Sequence, residues 1–218
     1  MKIDIITIFP NIFDSYFDES IIKRAREKNI VEINIINLRN FTTDKRKTVD
    51  DTPFGGGEGM VMMVEPIEKA VNSIKTQDSH VIALSAKGEL FKQSKAKTLS
   101  QKKHLILICG RYEGFDQRIL DEIADEVLSI GNFVLTGGEI PAMIVADSVA
   151  RLIPGVLGNE SSPETDSYFS DDKTKQYPIY TKPAEYKSQN GKTLKVPDIL
   201  LSGNHEEIKQ WREKNSKT

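Results

Sequence analysis

The chain reads as an α/β protein built on a parallel sheet, and three observations carry that reading. Residues 2–9 are rich in isoleucine, and residues 81–84 and 105–109 are short apolar runs, as strands buried on both faces are. Segments with the helical period follow them, so strand and helix alternate. The loops after the runs hold glycines, at Gly88, Gly110 and Gly114 and, further on, Gly137 and Gly138. In open α/β sheets ligands sit outside the carboxyl ends of the strands, where glycine lets backbone approach closely.

Residues 2–9 form the first strand, closed by Pro10, and Asn11 is placed to cap a helix from Ile12. Residues 20–28 continue as a second helix, with Ile21, Ile22 and Ala25 inward. Residues 31–37 alternate, Val31, Ile33 and Ile35 against Glu32 and Asn34, which predicts a half-buried strand. Residues 39–60 form a long polar loop, of a length that usually signals function. It carries Asp50, Asp51, Pro53 and the run Gly55-Gly56-Gly57-Glu58-Gly59. That run serves equally as a cradle of backbone N–H groups for a phosphate or as a hinge. Residues 66–74 and 92–101 read as helices on either side of the strand at 81–84. After the run at 105–109 come Gly110, Arg111, Tyr112, Glu113 and Gly114. A second apolar piece at Val134 and Leu135 reads as a strand, and residues 140–153 as a helix with Pro141 in its first turn.

From Pro154 the character changes. Residues 155–183 are polar, with serines and prolines and little periodicity, as in a linker. Residues 196–211 regain apolar content, and Asn204 with Glu207 three residues on reads as a capping pair. The expectation is a small helical module.

The chain has 218 residues and a net charge of −2, so bulk charge carries no nucleic-acid signature. Residues 171–218 hold ten Lys or Arg and seven Asp or Glu, a net of +3, and residues 1–170 a net of −5. The basic end suits phosphates or is a solvated tail. No apolar run reaches the ~18 residues of a membrane span. The start, MKIDIITIFPNIF, lacks signal-peptide character. The single cysteine, Cys109, excludes an intramolecular disulfide and reads as a buried hydrophobe in a cytoplasmic protein.

The chemistry left open is narrow. His80, His104 and His205 are far apart, with no H-E-x-x-H or C-x-x-C, so no metal ligands are assigned. No G-x-G-x-x-G, Walker loop or G-x-S-x-G occurs. Asp147 and Arg151 share a helix face, as an ordinary ion pair or as a functional pair. Asp166, in Ser162-Pro163-Glu164-Thr165-Asp166, reads as a turn or capping residue by itself.

Larger motifs go further. Thr48-Val49-Asp50-Asp51 with Pro53 and the glycine run, Cys109-Gly110-Arg111-Tyr112-Glu113-Gly114, and Gly137-Gly138-Glu139 with Pro141-Ala142 occur in one order. Asp147-Ser148-Val149 with Arg151, the stretch from Ile153 to Gly158, and Leu200-Leu201-Ser202-Gly203-Asn204-His205 follow. Over nearly its whole length the chain closely resembles the bacterial tRNA (guanine-N1-)-methyltransferases of the TrmD type. The resemblance implies a SPOUT-type α/β fold with a deep trefoil knot, a homodimer, and S-adenosylmethionine bent into the knot at the subunit interface. Its division is a knotted cofactor-binding domain at 1–158, a linker at 159–183 and a small helical tRNA-binding domain at 184–218.

By the same resemblance the cofactor residues are Leu84, Ser85 and Ala86, then Gly110, Tyr112 and Glu113. The third set is Ile130, Gly131, Asn132, Phe133, Val134, Leu135, Gly137 and Gly138. Asp50, Gly55, Gly56, Gly57, Gly203, Asn204 and His205 would contact tRNA. The reaction implied is methyl transfer to N1 of guanine 37, beside the anticodon, when another guanine precedes it. Asp166 would be the base and Arg151 would stabilise charge on O6, and the family is associated with magnesium. Ala86 and Glu58 depart from the family pattern, which has proline at the first position and a small residue or proline at the second. The family also continues with a basic segment beyond Trp211-Arg212.

Overall fold

The computed structural model describes residues 1–158 and 166–216. The expected linker start and the turn sequence from Ser162 to Thr165 lie outside the described residues. The chain divides into two compact units, Met1–Glu160 and Ser161–Thr218.

The first unit runs β1 (Lys2–Thr7), α1 (Asp14–Phe17), α2 (Ser20–Glu27), β2 (Glu32–Asn37), β3 (Asp50–Asp51), β4 (Val61–Met62) and α3 (Val64–Ile74). It continues with β5 (Ser79–Leu90), α4 (Gln93–Ser100), β6 (His104–Cys109), β7 (Glu126–Ser129) and α5 (Glu139–Ala150). Five strands pair in the order β2-β1-β6-β5-β7, all parallel. The expected parallel α/β architecture is therefore present.

Alternation on the pleat sorts the core into two layers. Ile3, Ile5, Leu105, Leu107 and Cys109 face one cluster, with Phe13, Phe17, Ile22, Ala25 and the inner side of α5. Ile6, Ile8, Ile106 and Ile108 face the other, with Ile67, Ala70 and Val71 of α3. Because both faces are covered, β6 is apolar from Leu105 to Cys109, and the polar residues that β1 buries, Asp4 and Thr7, are hydrogen-bonded to His104 and Glu139.

Two expectations fail here. Val134 and Leu135 form no strand; they lie in a loop, 87% and 37% exposed. The strand before α5 is β7, whose Glu126 is held by Lys95 and His80. Those partners let an acidic residue sit on a strand, which hid β7 behind its charge. Asn11 caps nothing, since Pro10–Ile12 is a 3-10 turn without a side-chain cap. Strand β5 is also longer than its apolar part, carrying residues 85–88 as an irregularity in its pairing with β7.

The second unit holds a hairpin, β8 (Glu185–Lys187) with β9 (Thr193–Lys195), and the helix α6 (His205–Asn215). A helical reading of this region is therefore incomplete. The signal for the hairpin is Asn190-Gly191, a strong turn dipeptide, and Gly191 has φ +80°. The Asn204 side chain caps α6 by accepting the Glu207 amide, as its spacing predicts.

Candidate active site

At the carboxyl ends of β5, β6 and β7, three loops close around one cleft. Its wall includes Leu84, Ser85 and Ala86 from the first loop, and Gly110, Tyr112 and Glu113 from the second. Ile130, Gly131, Phe133, Val134, Leu135, Gly137 and Gly138 come from the third. Of the cofactor residues expected from the sequence, Asn132 alone does not line it. Lys87, Arg111, Leu128, Ser129, Thr136 and Pro141 line it as well. Lys87 and Arg111 fall within the loops expected from the sequence, while Leu128, Ser129, Thr136 and Pro141 escaped it because neighbouring loop and strand residues carry no mark of which face inward.

The loops are in place because backbone passes close to backbone. The Gly138 amide donates to the Gly110 carbonyl at 2.8 Å. A Cβ on Gly138 would lie 2.7 Å from Cys109 Cα and Gly110 N, so only glycine fits. Gly88 meets the backbone of Val127 and Leu128 in the same way, at 2.6 Å. Loop three is drawn onto loop two by Arg111, whose Nη1 donates to the Thr136 carbonyl at 3.1 Å. The Arg111 guanidinium also stands over the Phe9 ring, 4.6 Å from its centroid.

The second loop also touches the long polar loop. The Glu113 amide donates to the Met60 carbonyl at 3.0 Å, and the Met62 amide, just past that loop, donates to the Gly114 carbonyl at 2.9 Å. Tyr112, with φ +60°, places its hydroxyl on the Asp50 carboxylate. Burial first, and then that hydrogen bond, raise the Tyr112 phenol above its ordinary pKa. A residue expected to bind tRNA thus adjoins one expected to bind cofactor. Gly55, Gly56 and Gly57 form an exposed turn with φ of +85°, +81° and +130°. At its head Phe54 is fully exposed.

Arg151 follows α5, and its amide donates to the Asp147 carbonyl at 3.0 Å. The Asp147 carboxylate meets the hydroxyl of Tyr16, whose pKa is raised by burial and then by that contact. Asp166 belongs to the second unit, where its carbonyl accepts the Phe169 amide at 3.3 Å. Gly203, at φ +74°, Asn204 and His205 make the turn into α6. Among the described residues no group of three or more His, Cys, Asp or Glu side chains is arranged to hold a metal ion. None of the described helices is long and apolar enough to cross a membrane.

Comparison with known proteins identifies the family. The family model described as tRNA (Guanine-1)-methyltransferase TrmD matches residues 1–218. A tRNA (guanine-N(1)-)-methyltransferase of Dictyoglomus turgidum is 55% identical over 216 residues, covering 99% of this chain and 85% of the relative. One of Carboxydothermus hydrogenoformans is 52% identical, covering 99% of this chain and 83% of its own length. A third, of Clostridioides difficile, is 50% identical, with 99% and 92% covered. The chain belongs to the tRNA (guanine-1)-methyltransferase TrmD family.

Proposed function

We propose that this chain transfers a methyl group from S-adenosylmethionine to N1 of guanine 37 in tRNA. The observation that carries the proposal is the three-loop cleft at the sheet's carboxyl edge in a chain of this family. The cleft fits the cofactor chemically. Leu84, Leu128, Ile130, Leu135 and Pro141 offer apolar walls for an adenine ring, and loop amides and carbonyls offer the polar contacts that fix orientation. Glu113 supplies an anion for an ammonium group.

When bound, S-adenosylmethionine supplies an electrophilic methyl group on a sulfonium. Guanine N1 carries a proton at neutral pH and attacks poorly until it is removed. Asp166 is the base that takes the proton. Negative charge then develops on O6, and Arg151, permanently cationic and forked, stabilises it. The tRNA substrate places the reaction in the cytoplasm.

The reading includes a homodimer and a deep trefoil knot. In support of the dimer, Ile140 and Ile144 are 54% and 38% exposed, one turn apart on α5. Their stripe leads at helical spacing to Asp147 and Arg151. The first unit would hold the cofactor. The second, with Gly203, Asn204 and His205 and the basic end of the chain, would grip tRNA with Asp50 and the turn at Gly55, Gly56 and Gly57.

The test uses labelled S-adenosylmethionine and two anticodon-loop transcripts, one with guanine at positions 36 and 37 and one changed at 36. Methylation of the first alone, mapped to N1, is expected. Asp166→Asn is expected to bind cofactor and tRNA as before and to lose about 10²–10⁴ of turnover. Full turnover in that protein would remove Asp166 from the mechanism.

A further inference from the structure

Glu139 has no role in the chemistry above, yet it is the most deeply buried carboxylate beside the cleft, 2% exposed. It opens α5. Both its oxygens are engaged: Oε1 accepts the Thr7 hydroxyl at 2.8 Å and Oε2 accepts Arg111 Nε at 2.9 Å. Thr7 is itself buried at the end of β1, and its Oγ1 accepts the Phe9 amide at 3.0 Å. Arg111 then reaches outward to the Thr136 carbonyl and lies against Gly137, where a Cβ would be 2.1 Å from Nε. A buried carboxylate is costly to desolvate unless it is paired and hydrogen-bonded, and an apolar contact would serve packing as well. A charge kept at this position points to a task that needs the arginine held at a fixed angle.

We infer that Glu139 is a positioning residue: with Thr7 it fixes the Arg111 guanidinium, which sets the position of residues 130–138 against residues 110–114 and so the width of the cofactor cleft. The inference rests on the cofactor assignment of the preceding section. Arginine is required because one guanidinium must bond two partners in a fixed fork, Glu139 through Nε and Thr136 through Nη1. The Phe9 ring closes the remaining side. Glu139 touches no ligand in this account and acts through Arg111 alone.

Glu139→Gln keeps the volume and removes the charge. Its affinity for S-adenosylmethionine, measured by calorimetry, is expected to fall about tenfold, the loss of one charge-assisted hydrogen bond's worth of cleft order. KM for the cofactor rises with it, and kcat and the KM for tRNA change less than twofold. Arg111→Lys, which cannot fork, is expected to give the same loss, and the double variant Glu139→Gln/Arg111→Lys to lose no more than either alone. Hydrogen exchange at the Gly138 amide, followed without any cofactor, is expected to quicken in all three.

Wild-type cofactor affinity in a folded Glu139→Gln protein overturns the inference, as do losses that simply add in the double variant. Where Glu139→Gln does not fold, Thr7→Val reads the same connection, and unchanged affinity and exchange there overturn it equally. A wild-type chain that binds no S-adenosylmethionine overturns the proposed function instead. The exchange at Gly138 then still decides whether Glu139 holds the loops.

Discussion

The two units of this chain are held together by different means. In the first, the isoleucines of β1 and nearly all of β6 are buried, and helices cover both faces of the sheet. In the second, none of the described side chains is buried. Its order comes from local hydrogen bonds, the Tyr168 amide on the Thr174 carbonyl, the Gln176 amide on Ser167 Oγ and the Asn204 cap, and from ring contacts of Arg212 with Tyr177 and of Tyr180 with Trp211. The difference teaches where precision resides. A cleft made of backbone passing backbone needs the rigidity that a packed core supplies. A surface that meets a large polyanion can be shaped by turns and caps and carry its polar groups outward.

The largest effect that sharpens this contrast is expected from Leu107→Ala, at a fully buried position in β6. It should cost about 2–5 kcal/mol, read as a shift in the urea midpoint. Next is Gly88→Ala, whose new methyl must displace the backbone of Val127 and Leu128. A loss of about 1–3 kcal/mol is expected from overpacking, together with weaker cofactor binding. A protein that accepted this methyl without loss would show that β5 and β7 are free to separate.

In the second unit Asn204→Ala should cost about 1 kcal/mol, felt as faster amide exchange within α6 while the main unfolding transition stays in place. A shift of the main transition would break the contrast, because it would tie the cap to the core. The smallest expected effect is at Cys109. Burial, and then the neighbouring Glu139 carboxylate, raise its thiol well above the usual value. A raised pKa keeps the thiol neutral as pH increases, and the neutral thiol is a poor nucleophile. A thiol reagent at pH 8 should therefore modify Cys109 only as fast as the first unit unfolds. A faster reaction would reveal local opening of β6.

How much could be read beforehand follows the same division. Core strands announce themselves because burial on both faces demands apolar runs, and β1, β5 and β6 stand where those runs are. The strand β7 does not, because four residues beginning with Glu126 carry too little pattern and the partners that neutralise Glu126 lie far off in sequence. Val134 and Leu135 misled for the opposite reason: they are apolar but exposed, in a loop beside the cleft. Of the hairpin at β8 and β9 the turn was legible in Asn190-Gly191, while its strands, three residues each and exposed, gave no alternation to read.

By itself the sequence determined the parallel sheet, the glycines at the strand ends, the cap of α6 and, through its motifs, the family. Each of these is a local matter: a period, a turn residue, or a word of a few letters. Only the tertiary structure decided that Thr7 and Glu139, 132 residues apart, share a hydrogen bond. The same holds for the Arg111 contact with the loop before α5, and for Tyr112 resting on Asp50. Such contacts depend on which strands become neighbours and how closely their ends approach. That is fixed by the packing of the whole core, and no window of neighbouring residues contains it.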